Sequence, residues 1–298
     1  MSPNTSTPRT VLITGASGGL GTATARKLLA AGWRVIAAVR TPEAISRLPR
    51  DLEGVTAVAL DVTDPESIAQ AVRSLHPLLG QHGLNALVNN AGTIVQGPVE
   101  LVPEHALRRQ FEINVFGQIA VTQAFLPALR TARGRIVNIG AITARTAVPF
   151  FGPVAASKAA IASLNDTLRM ELKFQGVDVT LVEPGALATE IFAKADKSSA
   201  EDGWTGGPDT VGRYTKALQD AQAAAAKQSN TAVEKAAATV VKAVTTGRPK
   251  TRYTIGSDAR ALAFLSKLPD RTRDGLLLRT LGLGKESFNS RPQSLHRA

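Results

Sequence analysis

Residues Thr10–Gly21 read TVLITGASGGLG, an apolar run that passes without a break into a cluster of glycines. Thr10 to Thr14 shows no polar alternation, as in a strand covered on both faces. Gly15, Gly19 and Gly21, with Ser17, Gly18 and Leu20 between them, form a sharp turn. Thr22 to Ala31 is then rich in Ala and Leu and predicts a helix ended by Gly32. A strand feeding a helix through a glycine turn lets backbone amides and the helix N-terminus approach a phosphate closely.

The same unit recurs along the chain. Further strands are predicted over 34–39, 55–60, 84–88, 135–139, 177–182 and 251–255, separated by helical segments. Asp64 is placed to cap a helix with Pro65 in its first turn. A long helical region follows Pro103 and is expected to break or end around Pro127. Another helix is expected over 155–174. This alternation implies an α/β fold, a Rossmann-type doubly wound parallel sheet that binds its ligand beyond the carboxyl ends of the strands. One domain is expected over 10–257, after a polar tail of residues 1–9. Within it, 190–247 reads as a lid: a long loop over 193–208, then helices over 210–226 and 231–244. Residues 258–298 form a basic, apolar extension with short helices over 258–268 and 270–283, expected to pack on the same domain.

Composition narrows the function. The 298 residues are 44% hydrophobic and 20% charged, ordinary for a globular chain, and none of them is Cys. Disulfides and thiolate chemistry are excluded, and with no secretory pattern or long apolar run the expectation is a cytoplasmic protein. The four His, at 76, 82, 105 and 296, have no metal-ligand spacing, so no metal is expected. The net charge of +11 is concentrated at the end: 12 Lys/Arg against 4 Asp/Glu from Lys242 to Ala298. No nucleic-acid motif accompanies it. A solvated surface is the favoured reading of the tail, and membrane contact the minor one.

Five motifs in order resemble the short-chain dehydrogenase/reductase family: Thr14-Gly-x-x-x-Gly-x-Gly21, Asp61-Val62, Asn89-Asn-Ala-Gly92, the Asn138–Lys158 segment and Pro184-Gly-x-x-x-Thr189. The resemblance implies that Asp61 and Val62 hold an adenine, and that Asn90, Ala91 and Gly92 line the adenosine ribose. Pro184, Gly185 and Thr189 would meet the nicotinamide carboxamide. At the end of the second strand stands Arg40, with no acid beside it. A guanidinium suits a 2′-phosphate, whereas a 2′-hydroxyl calls for a carboxylate, so NADP(H) is the expected cofactor. Family members commonly assemble as dimers or tetramers, so a homodimer or homotetramer is implied.

The segment NIGAITARTAVPFFGPVAASK departs from the family at two points. The family has a serine after the strand and a tyrosine four residues before the lysine. Here Lys158 and Asn114 match the catalytic lysine and asparagine, but the serine position is Ala141 and the tyrosine position Val154. Neither can exchange a side-chain proton. Thr143 and Thr146 in the same loop are other hydroxyls, more simply read as loop-surface threonines, and His105, Tyr214 and Tyr253 are possible donors from flanking loops, more simply read as structural or exposed. Val148, Phe150, Phe151, Val154, Ile191 and Phe192 suggest an apolar or aromatic small-molecule substrate. Three readings follow. The first is an atypical NADP(H)-dependent reductase of a carbonyl, imine, iminium or conjugated acceptor. The others are a non-redox cyclase, isomerase or dehydratase, and a silent nucleotide-binding protein.

Overall fold

A computed structural model describes residues 8–46, 48–226 and 230–288. In chain order the elements are β1 (Thr10–Thr14), α1 (Gly19–Ala30), β2 (Arg34–Val39), α2 (Pro42–Ile45), β3 (Thr56–Ala59), α3 (Pro65–Leu79) and β4 (Ala86–Asn89). Next come α4 (Glu104–Phe111), a π-helical turn (Glu112–Gly117), α5 (Gln118–Thr131), β5 (Arg135–Ile139), α6 (Gly152–Leu172) and β6 (Asp178–Pro184). The chain closes with α7 (Ile191–Asp202), α8 (Pro208–Ala226), α9 (Val233–Thr245), β7 (Arg252–Ile255), α10 (Ser257–Leu265), α11 (Asp270–Thr280) and α12 (Lys285–Phe288). Asp64 caps α3 as its position suggested, its carboxylate accepting from the Glu66 N–H at 2.9 Å.

All seven strands run parallel in the order β3-β2-β1-β4-β5-β6-β7. Each strand residue alternates between the two faces. Val11 and Ile13 therefore join one apolar layer with Leu20 and Leu28 of α1 and Val240 and Val244 of α9. Leu12 and Ile36 join the other, with Leu75 of α3 and Val121 and Phe125 of α5. Burying side chains of this kind on both faces contributes about 1.5–3 kcal/mol each. The strand order reverses between β1 and β4, which opens a crevice at their carboxyl ends.

Four expectations need correction. Residues 193–208 are largely helix α7 rather than a long loop. Ala195 is its one buried side chain, so no apolar stripe marked it in the sequence. It is held instead by i,i+4 pairs, Glu190–Lys194 and Lys197–Glu201, and by contacts to distant residues. Helix α5 continues through Pro127, and the break in the long helical region is the π-helical turn, which ends at Gly117, well upstream of it. The proposed lid also divides: α9 is core, packed under the sheet against α1, which leaves α7 and α8 outside it. The second C-terminal helix stops at Thr280, and the short α12 follows. Residues 1–7 and 289–298 of the two predicted tails lie outside the described residues.

Candidate active site

The glycine turn sits at the crevice between β1 and β4. Gly15 has φ +62°, the left-handed region that glycine tolerates without strain. A Cβ on Gly21 would lie 2.5 Å from the Gly15 carbonyl oxygen, so only glycine lets the helix start this close to the turn. Asn90 braces the turn, its Nδ2 donating to the carbonyls of Thr14 (2.9 Å) and Gly15 (3.0 Å). Thr14 Oγ1 accepts from the N–H groups of Asn90 and Ala91, both at 3.0 Å. Ser17 and Gly19 are exposed here, while Leu20 is buried beneath.

Arg40 is exposed just past β2 and forms no ion pair or hydrogen bond among the described residues. Past β3, Asp61 accepts from the N–H (2.9 Å) and the hydroxyl (2.7 Å) of Thr63, and Val62 is buried. Across the crevice, Pro184 ends β6 and Gly185, Leu187 and Thr189 follow in a loop. An open glycine cradle, an unpaired guanidinium at the second strand and a braced carboxylate at the third fit a dinucleotide carrying a 2′-phosphate.

Lys158 lies in the second turn of α6, with 9% of its surface exposed. Its Nζ donates to the Ile139 carbonyl at 2.7 Å, and burial pushes its pKa down from 10.5 to about 8. Asn114 is fully buried in the π-helical turn, where its Oδ1 accepts from the Thr93 N–H at 2.8 Å. Its Nδ2 donates to the Thr93 carbonyl (3.0 Å) and to Ser157 Oγ (3.3 Å). Ala141 is in extended backbone just past β5, and Val154 is buried one helical turn before Lys158.

Four of the five other donors named from the sequence are engaged elsewhere. Thr146 donates to the Leu262 carbonyl at 2.9 Å. His105 Nε2 lies 3.2 Å from Asp202 on the outside of α4, and the Tyr214 hydroxyl donates to Glu100 at 2.6 Å. The Tyr253 hydroxyl accepts from the Lys250 N–H at 3.1 Å. Thr143 Oγ1 is sealed from solvent and has no partner among the described residues. Among the described residues, no three His, Cys, Asp or Glu side chains cluster as metal ligands, and no helix is long and apolar enough to cross a membrane.

Several residues of this region carried no obvious sequence signal. Gln110 is fully buried, accepting from the Val95 N–H (2.6 Å) and donating to the Thr93 carbonyl (2.9 Å) and Ser157 Oγ (3.3 Å). Gln110 and Asn114 thus hold the segment after Asn89–Gly92 together; their four-residue spacing in a helical region was the available clue. Asn89, Thr122, Asn138 and Asn165 form a buried amide network below the site. Glu183, fully buried, is held by Arg145 of the Ala141 loop (Nε–Oε1 2.9 Å) and by Arg252 of β7 (3.0 Å). Arg109 of α4 grips Asp202 of α7 in two bonds of 2.8 and 2.6 Å.

The comparisons with known proteins agree with this geometry. Residues 9–200 match the short chain dehydrogenase family, and the chain belongs to that family. It is similar to an NADPH-dependent 3-dehydrocapnine reductase of Ornithobacterium rhinotracheale, 31% identical over 280 residues that cover 92% of this chain and 97% of that protein. A crystal structure of a short-chain dehydrogenase from Streptomyces avermitilis superposes with a TM-score of 0.73 at 30% identity, covering 92% of this chain and 98% of that one. One from Burkholderia cenocepacia J2315, in complex with NADP, gives 0.70 at 27% identity, with coverage of 91% and 98%. The chain is an enzyme of the oxidoreductase class on a Rossmann-type fold.

Proposed function

We propose that this enzyme is an NADP(H)-dependent reductase of an apolar small molecule whose acceptor bond is already electrophilic: an activated carbonyl, an imine or iminium, or a conjugated double bond. The observation that carries the reading is the contrast within one site. Lys158 and Asn114 are buried and hydrogen-bonded, while the two positions that would handle the proton hold Ala141 and Val154.

Gly15, Gly18, Gly19 and Gly21 would hold the pyrophosphate, and Arg40 the 2′-phosphate. Asp61, Val62, Asn90, Ala91 and Gly92 would hold the adenosine, and Lys158, Pro184, Gly185 and Thr189 the nicotinamide riboside. When bound, the cofactor supplies the hydride. The chain's own contribution is orientation. Phe151 and Phe192 meet edge to face, with ring centres 6.3 Å apart, joining the active-site loop to α7. A largely apolar cavity of about 410 Å³ lies between Val148, Pro149, Phe150 and Gly152 of that loop and Leu277 and Leu278 of α11, with Asp274 also in its wall. Apolar walls of this kind suit an apolar substrate.

A missing general acid lowers a rate by about 10²–10⁴, so a simple ketone would turn over poorly here. An acceptor that is already cationic, or takes its proton from water, escapes that penalty. Absorbance at the nicotinamide band with a panel of ketones, imines and enones tests the reading. NADPH oxidation with an imine or enone but not with a plain ketone supports it. Substrate conversion with no change in that band would overturn it in favour of a non-redox catalyst.

A further inference from the structure

The loop that follows β6 is held from three sides, and one of its anchors is a side chain from the C-terminal extension. The Gly185 N–H donates to the Ile255 carbonyl of β7 at 2.9 Å. The Ala186 carbonyl accepts from the Thr231 N–H (2.9 Å), and the Ala188 N–H donates to the Thr231 carbonyl (3.1 Å). The third anchor is Asp258, at the start of α10, whose Oδ2 accepts from the Ala186 N–H at 2.7 Å.

The loop is shaped around that carboxylate. A Cβ on Gly185 would collide with both Asp258 oxygens, and a Cβ on Gly256 would collide with Oδ1. Either side chain would expel Asp258. With Ala186 and Ala188 committed to Asp258 and Thr231, the N–H of Leu187 between them has no partner among the described residues. The bridge pattern explains why: when both neighbours of a residue bond to one strand, its own N–H faces the opposite side. Asp258 Oδ1 is also buried and without a partner among the described residues. Leaving a carboxylate oxygen buried and unmade is costly, so its placement has to be matched by a gain elsewhere.

Resting on the NADP(H) reading above, we propose that Asp258 is a positioning residue for cofactor binding. It fixes Ala186 so that the Leu187 N–H stays presented to the nicotinamide carboxamide, and it thereby makes the C-terminal extension part of the cofactor site. The ligand recognised is a primary carboxamide, which needs a donor for its oxygen. Thr189 of this loop lies against Gly19, but Arg40 stands at the end of β2, beyond β1, so the loss is expected to fall chiefly on the nicotinamide half.

The test compares two ligands on three proteins. NADPH and 2′-phosphoadenosine-5′-diphosphoribose, which lacks the nicotinamide, are titrated calorimetrically against the unaltered chain, D258A and D258N. D258A is expected to weaken NADPH about tenfold or more while leaving the nicotinamide-free ligand within about twofold. D258N can still accept from Ala186 through its amide oxygen and is expected to recover most of the loss. Unchanged NADPH affinity in D258A would overturn the proposal, as would equal losses for both ligands or an Asn variant as weak as the Ala. If the unaltered chain binds neither ligand, the cofactor reading fails together with this one, an outcome distinct from the others.

Discussion

The Lys158 ammonium reaches back to the Ile139 carbonyl at 2.7 Å, joining the start of α6 to the last residue of β5. Ala141 lies two residues beyond Ile139, and Val154 one helical turn before Lys158. The hydrogen bond therefore ties together the two segments that carry Ala141 and Val154.

Restoring those hydroxyls should restore ordinary carbonyl chemistry. A141S with V154Y is expected to raise the rate of NADPH oxidation with a plain aromatic ketone about 10²-fold or more, each single variant giving much less. Initial rates measure it. A double variant no faster than the parent would show that the missing proton handling is not what limits the reaction.

Burial of Lys158 makes stability depend on pH in a defined direction. Below pH 8 the lysine is charged both folded and unfolded, and the burial cost is present in full. Between about 8 and 10.5 the unfolded chain binds the extra proton, so stability rises with pH, and above that range the cost is gone. K158M should abolish this rise and gain up to about 3 kcal/mol at pH 7, less the lost hydrogen bond. Urea melts at pH 7 and pH 10 measure both effects.

Arg40 should set the preference between the two nicotinamide cofactors. R40A is expected to weaken NADPH about 10- to 100-fold, the range of a lost charge-assisted phosphate contact, and to leave NADH nearly unchanged. Fluorescence titration with both cofactors checks it, and equal losses would place the 2′-phosphate elsewhere.

The grip of Arg109 on Asp202 should govern the mobility of α7. The paired guanidinium holds the Asp202 carboxyl below the usual carboxylate range, with His105 adding to the effect. The contact is therefore kept at neutral pH and lost only as the pH falls through that lowered value. R109A should speed amide hydrogen exchange in α7 several-fold without changing exchange in β1, as mass spectrometry can show.

Much of the fold was legible because its determinants are local. The apolar strand Thr10–Thr14, the glycines after it and Asp64 ahead of Pro65 each act within a few residues, so a linear reading finds them. Helix α7 was missed because its support comes from afar: Arg109 reaches Asp202 across 93 positions, and Gln96 bonds Asp196 across 100. Pro127 misled because a proline signals a break more strongly than it enforces one. At the site, motif positions such as Asn114 and Lys158 could be named from the sequence. Their partners could not, since Gln110, Ser157 and Asp258 become relevant only once the sheet has brought distant loops together.

The buried Glu183, clamped by Arg145 and Arg252, has a consequence for how this site can change over time. The backbone around Ala141 is anchored by that ionic strut and by Thr146 on Leu262, neither of which involves the catalytic positions. A substitution at Ala141 therefore leaves both supports of this loop in place, whereas a larger side chain at the buried Val154 has to find room in the packing around it.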